Sequence, residues 1–294
     1  MSRYRKAKQR FEERAPLKTQ EAASGQRGAG QAKGSGDLRD RIAIFVAAAI
    51  LIPIAVFSFL NFYRSDQPDQ GLAASTTDGA AVGPRAAIVD QLSLTQPNPT
   101  FAERATDLLE QAGYAVDYYP GEEVTVDFYR NLPTRGYKVL ILRAHSSPTG
   151  TGEKATDDAS LYTTEPYSGT QHLGDQVAAR VSIVSYYEGG PEYFGITPEF
   201  VRSSMKGKFD DATIIVMGCD GLRSDAAAEA LVHRGAASVV GWSGPVSAAH
   251  TDAATEHLLQ RLLIDRLTIQ QAVGETSAEV GPDPSYGSVL RLYP

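Results

Sequence analysis

Two residues suited to nucleophilic catalysis stand at the ends of strongly apolar runs. VLILRAHSS, residues 139–147, closes its apolar stretch at His145. IIVMGCDG, residues 214–221, closes its own at Cys219, the one cysteine of the chain. A thiol attacks as its thiolate, so a catalytic cysteine needs a base or a positive partner. A histidine beside it supplies both. The tetrahedral oxyanion then needs two donors, and the backbone N–H groups of Ser146 and Cys219 are the candidates. A cysteine that merely fills a core gap is the other reading of Cys219, with His145 as a structural histidine at its strand end. A single cysteine also rules out an internal disulfide.

The elements that must position this pair are legible from Arg85 onward. AAIVDQLSL (86–94), AVDYYPG (115–121), KVLILRA (138–144), TIIVMG (213–218) and ASVVGWSG (237–244) read as strands. Between them, FAERATDLLEQAGY, TVDFYRNLPTRGY (broken near Pro133), SDAAAEALVHRGA (capped by Ser224), TDAATEHLLQRLLID and TIQQAVGETSAEV have helical spacing. SVLRLYP closes the chain as a short strand. Alternation of doubly apolar strands with helices predicts an α/β fold, a mostly parallel sheet covered on both faces. Chemistry in such sheets collects at the C-terminal ends of strands, where both His145 and Cys219 fall. A long insertion, roughly 148–211, separates them. It holds hairpin-like pieces and a helix, TPEFVRSSMKG, with Thr197 as N-cap and Pro198 at N1.

An apolar strand ending in His, an apolar strand ending in Cys, and then GAASVVGWSGPV followed by a helix resemble the caspase–gingipain–legumain superfamily of cysteine peptidases. GAASVVGWSGPVSAAHTDAATEHLL is especially similar to the CHAT domains of that superfamily. The resemblance covers most of 85–294. It implies a caspase-like three-layer sandwich, a His145–Cys219 dyad and peptide-bond hydrolysis through a thioester. Ser146 stands where many members have glycine. Trp242 is a candidate wall for the residue before the scissile bond, with core packing as its other reading. Asp220 either favours a basic substrate residue or is a solvated loop charge or helix cap.

The rest of the chain bears on location. Ile42–Leu60 carries no charge in 19 positions, enough for a helix of roughly 28 Å, close to the hydrocarbon thickness of a bilayer. Residues 1–41 hold 11 Lys/Arg against 5 Asp/Glu, and the remainder 17 against 30. The positive side predicts a cytoplasmic N-terminus and an extracytoplasmic body at the plasma membrane. The expected organisation is a disordered basic tail (1–41), a single transmembrane helix (42–62) preceding the α/β domain, a flexible linker (63–84) and a peptidase domain (85–294). An acidic body argues against nucleic acid as a partner. His250 and His257 lack the spacing and companions of a metal site, His250 being expected in the loop bordering the cleft. His172 and His233 look incidental. Ser185 lies in no nucleophile elbow, and the glycine clusters match no phosphate loop. No cofactor is expected. The expected activity is membrane-anchored cysteine endopeptidase, with a polypeptide substrate. The alternatives are an inactive module of the same fold that binds a partner protein at the membrane surface, and a small-molecule-binding α/β domain with an inert Cys219.

Overall fold

The computed structural model describes residues 83–149, 156 and 158–294. The expected tail (1–41) and membrane helix (42–62), and the linker up to residue 82, lie outside the described residues. Among the described residues no helix is long and apolar enough to cross a membrane.

The chain runs β1 (Arg85–Asp90), α1 (Pro99–Gln111), β2 (Ala115–Pro120), α2 (Val126–Asn131) and β3 (Tyr137–Arg143). A second group follows: β4 (Ser146–Pro148), β5 (Ala159–Pro166), α3 (Leu173–Val177), β6 (Val181–Ser185), β7 (Glu192–Ile196) and α4 (Pro198–Ser203). The chain then returns through β8 (Ala212–Val216), α5 (Ala226–His233), β9 (Ala236–Trp242), α6 (Ala248–Leu259), α7 (Ile269–Val280) and β10 (Leu290–Tyr293). The main sheet has the order β10-β9-β8-β3-β1-β2 and is parallel except for β10, which runs antiparallel to β9.

Its strands are buried on both faces, and the two-residue period of a strand divides their side chains between two cores. Ala87, Val89, Leu140, Leu142, Ile214 and Val216 face one side, where they meet Tyr129 of α2, Phe200 of α4 and Leu231 of α5. Ala86, Ile88, Val139, Ile141 and Ile215 face the other, against Phe101 and Leu109 of α1, Leu258 of α6 and Ala272 of α7. Each such fully buried large side chain contributes about 1.5–3 kcal/mol. The result is helix, sheet and helix in three layers, as the alternating pattern predicts.

The insertion builds a separate antiparallel sheet, β4-β5-β7-β6. Thr197 caps α4 by accepting from the Phe200 N–H, with Pro198 at the first position, as expected. Other details differ from the sequence reading. The first strand stops at Asp90, and Gln91–Leu94 forms a 3-10 turn. Helix α1 begins earlier, at Pro99, because Asn98 accepts from the Phe101 N–H. Asp225, not Ser224, precedes α5, and the Ser224 hydroxyl donates to Asp158 instead. His250 lies on α6, not in a loop.

Candidate active site

Strands β3 and β8 are neighbours, with Leu142 paired to Val216. His145 and Cys219 each lie three residues beyond that matched pair, so both leave the sheet at the same edge. Gly218 lets the two exits touch. A Cβ there would come closer than 3.0 Å to both the Ala144 carbonyl and the Ser146 hydroxyl. The Ser146 hydroxyl in turn donates to the Cys219 carbonyl. Asp220, next in sequence, takes the left-handed conformation (φ 59°), and its N–H donates to the Gly244 carbonyl. A non-glycine residue in that region carries strain of order 1–3 kcal/mol, held in place here by the surrounding turn.

The sulfur is gripped by the segment after β9. Cys219 Sγ accepts from the Val246 N–H at 3.4 Å, and the thiol donates to the Val246 carbonyl at 3.6 Å. Burial pushes the thiol up, the Val246 N–H opposes this, and the nearby Asp220 and Asp283 carboxylates push it up further. These influences together favour the protonated thiol.

His145 is held from the turn that follows β1. Its N–H donates to Gln91 Oε1 at 2.9 Å, and its Nε2 meets Thr95 Oγ1 at 3.1 Å. Tyr162 and Tyr186, from the inserted sheet, flank the ring at 5.9 and 5.0 Å. The Tyr186 hydroxyl accepts from the same Gln91 side chain at 2.8 Å. Burial lowers the imidazole pKa first, and the positive Arg143 lowers it further. Arg143 itself is 1 % exposed and lies between two carboxylates, Asp90 at 2.7 Å and Asp252 at 2.8 Å. Those carboxylates hold the guanidinium firmly protonated. The network ties β1, β3 and α6 together directly below His145.

His145 and Cys219 open into one cavity of about 340 Å³, together with Ala144, Gly218, Val246 and Tyr286. The two side chains are not hydrogen-bonded to each other; each has the separate partner given above. Of the two expected oxyanion donors, the Cys219 N–H lies by its own sulfur and gives to no carbonyl among the described residues. Ser146 and Leu161 form a non-hydrogen-bonded pair, because the Tyr162 N–H crosses to the His145 carbonyl. The Ser146 N–H is therefore turned away from β5.

The other expected site residues lie elsewhere. Trp242 is 2 % exposed and lies under the site, its Nε1–H donating to Thr251 Oγ1 at 2.9 Å. It packs with Val246 and Ala254 behind the cysteine, the placement its core reading expects. Asp220 is 5 % exposed and pairs with Arg223 at 3.1 Å; it is neither a solvated charge nor a cavity wall. The His250 ring meets Trp242 in a tilted contact with centroids 5.2 Å apart and is not among the residues lining the cavity. No cluster among the described residues could hold a metal ion.

Gln91, Thr95, Arg143 and Asp283 escaped the sequence reading. Only Asp283 left a local signal. In Asp283-Pro284-Ser285-Tyr286 the aspartate sits where Asx-turns begin, and its carboxylate accepts from the Ser285 and Tyr286 N–H groups. No family model matches the chain, and no curated protein matches its sequence.

Proposed function

We propose that this protein is a membrane-anchored cysteine endopeptidase with a caspase-like fold, cutting polypeptides with a His145–Cys219 dyad. One observation carries the reading: the two exits of adjacent parallel strands deliver an imidazole and a thiol into one solvent-reachable cavity. The ordered motifs that resemble the caspase–gingipain–legumain superfamily support it independently. The uncharged run within 42–62 and the basic tail support a single-pass anchor with the catalytic domain outside the cytoplasm.

The neutral thiol and neutral imidazole set the order of events. Substrate binding draws the thiol from the Val246 carbonyl, and His145 takes its proton as the Sγ–C bond forms. The carbonyl π pair moves onto oxygen, where the Cys219 and Ser146 N–H groups hold it. Collapse breaks the C–N bond, and His145 returns the proton to the leaving amine. Water then attacks the thioester with His145 as base, releasing the acid and restoring the thiol. The test is labelling of the full-length chain by a peptidyl acyloxymethyl ketone. Labelling should vanish in Cys219→Ala and fall by roughly two orders of magnitude in His145→Ala. Equal rates with and without the imidazole would remove the dyad.

A second reading rests on the Val246 grip and on the absence of a Cys219–His145 hydrogen bond. On that reading the fold is catalytically silent and binds a partner protein at the membrane surface. It requires that the wild-type chain cleave no member of a diverse peptide library.

A further inference from the structure

Among the described residues, no Asp, Glu, Lys or Arg lines the cavity that holds His145 and Cys219. Its walls include the apolar Leu92, Met217 and Val246 and the neutral polar Gln96, Ser247 and Thr251, with Tyr286 at the rim. The charges closest to it are already committed. Asp220 pairs with Arg223, and Arg143 is shared by Asp90 and Asp252. Asp283 accepts from four donors: the Ser247 N–H and hydroxyl at 2.9 and 2.7 Å, and the Ser285 and Tyr286 N–H groups at 2.8 and 2.9 Å. A charged substrate side chain entering here would shed its water and meet no partner. The acidic character of Asp220 and Asp283 makes an anionic side chain the worst case. A volume of about 340 Å³ is at the small end for ligand pockets and suits one side chain with its flanking backbone.

Tyr286 is 61 % exposed, yet it sits on a tightly tied loop. Asp283 joins that loop to Ser247, and Ser247 follows Val246, whose backbone grips the sulfur. An aromatic ring fixed at a cavity mouth gains by covering an apolar ligand. We infer that the cavity receives an uncharged, mainly apolar side chain of the substrate, and that Tyr286, positioned by Asp283, closes its outer wall. The inference rests on the peptidase reading for its ligand class.

Two measurements on the full-length chain separate the inference from that reading. Capped peptides differing at one residue are titrated calorimetrically into the Cys219→Ala protein. Leu and Met peptides should bind at least about ten-fold more tightly than the Lys peptide, with the Asp peptide weakest. Tyr286→Ala should bring the Leu peptide down to the level of Lys. Fluorogenic versions of the same peptides are then offered to the wild-type chain, and kcat/KM should follow the same ranking. Equal binding of all peptides, tighter binding of Lys or Asp, or no effect of Tyr286→Ala would overturn the assignment. Ranked binding without any cleavage would end the peptidase reading and leave the cavity assignment standing. Cleavage with the ranking inverted would do the reverse.

Discussion

Replacing Gly218 by alanine is the sharpest test of how the site is built. The added methyl would fall closer than 3.0 Å to the Ala144 carbonyl and the Ser146 hydroxyl. The Ala144 carbonyl is backbone and fully buried, so it cannot swing aside. The exits of β3 and β8 must therefore separate. Overpacking of this kind costs about 1–3 kcal/mol. Separation also strains the hydrogen bond from Ser146 to the Cys219 carbonyl, worth about 1 kcal/mol. The expected destabilisation is about 2–4 kcal/mol. A displacement of about 1 Å at the nucleophile costs roughly a hundred-fold in rate, so ketone labelling of Cys219 should slow by that order.

Urea unfolding followed through Trp242 fluorescence measures the first quantity, since Trp242 is the one tryptophan of the chain and packs behind the cysteine. Two controls sharpen the result. Gly218→Ala combined with Ser146→Ala removes the hydroxyl clash but keeps the carbonyl clash, and should recover part of the loss only. Gly274→Ala on α7 meets nothing within 4 Å, and should stabilise by up to about 1 kcal/mol through helix propensity. A Gly218→Ala protein within about 0.5 kcal/mol of wild type, labelled at the wild-type rate, would refute the idea that strand-exit contact sets the dyad geometry.

Three further outcomes follow from the same coordinates. Iodoacetamide alkylation of resting Cys219 should rise with pH at a midpoint above that of N-acetylcysteine amide, and Asp220→Asn should lower it; a midpoint below pH 7 would contradict the neutral thiol. Arg143→Met should cost about 3–5 kcal/mol in urea unfolding by leaving Asp90 and Asp252 buried without their cation. Asp252→Asn, which leaves one carboxylate per guanidinium, should cost less; the opposite order would refute the charge argument. Its four donors hold Asp283 down to about 2, below the unfolded value, so its ionised form stabilises the fold above about pH 4 and that stability fades as pH falls through about 2. The stability gap between wild type and Asp283→Asn, about 2 kcal/mol at neutral pH, should close over that window, and a pH-independent gap would count against the clamp.

Much of this fold was legible because period and run length are local properties. Strands β1, β2, β3, β8 and β9 are apolar on both faces, and the Thr197-Pro198 cap is a two-residue signal. The strand ends were less legible. QLSL continues the apolar look of β1, but the chain turns at Asp90, whose carboxylate engages Arg143 from another strand. The inserted pieces read as separate hairpins because their joining depends on pairings such as Leu161 with Ile196, which no local pattern encodes. His145 and Cys219 were visible as two strand exits, yet the groups that hold them were not. Gln91 and Thr95 reach His145 from the turn after β1, and the pairing of Asp220 with Arg223 is recognisable only once the turn between them is folded.

On the proposed peptidase reading, burial and the placement of charge around His145 and Cys219 together favour a neutral imidazole and a neutral thiol at rest. Burial is the larger cause of both shifts; Arg143, two residues before His145 in sequence, lowers the imidazole pKa further, and Asp220, directly after Cys219, raises the thiol further. Each charge therefore opposes the ion pair that would make a standing thiolate. The same two charges anchor the geometry, Arg143 through two buried carboxylates and Asp220 through a left-handed turn closed on Gly244. Stability and resting reactivity are thus coupled with opposite sign: strengthening either anchor holds the exits together and keeps the proton on sulfur. A ligand that brings the His145 ring and the Cys219 thiol into direct contact is what shifts the balance, so reactivity toward a peptidyl ketone should exceed that toward a small alkylating agent by more than intrinsic chemistry accounts for. If iodoacetamide and the ketone ranked as they do with a free thiol, the coupling between substrate entry and proton transfer would have no support.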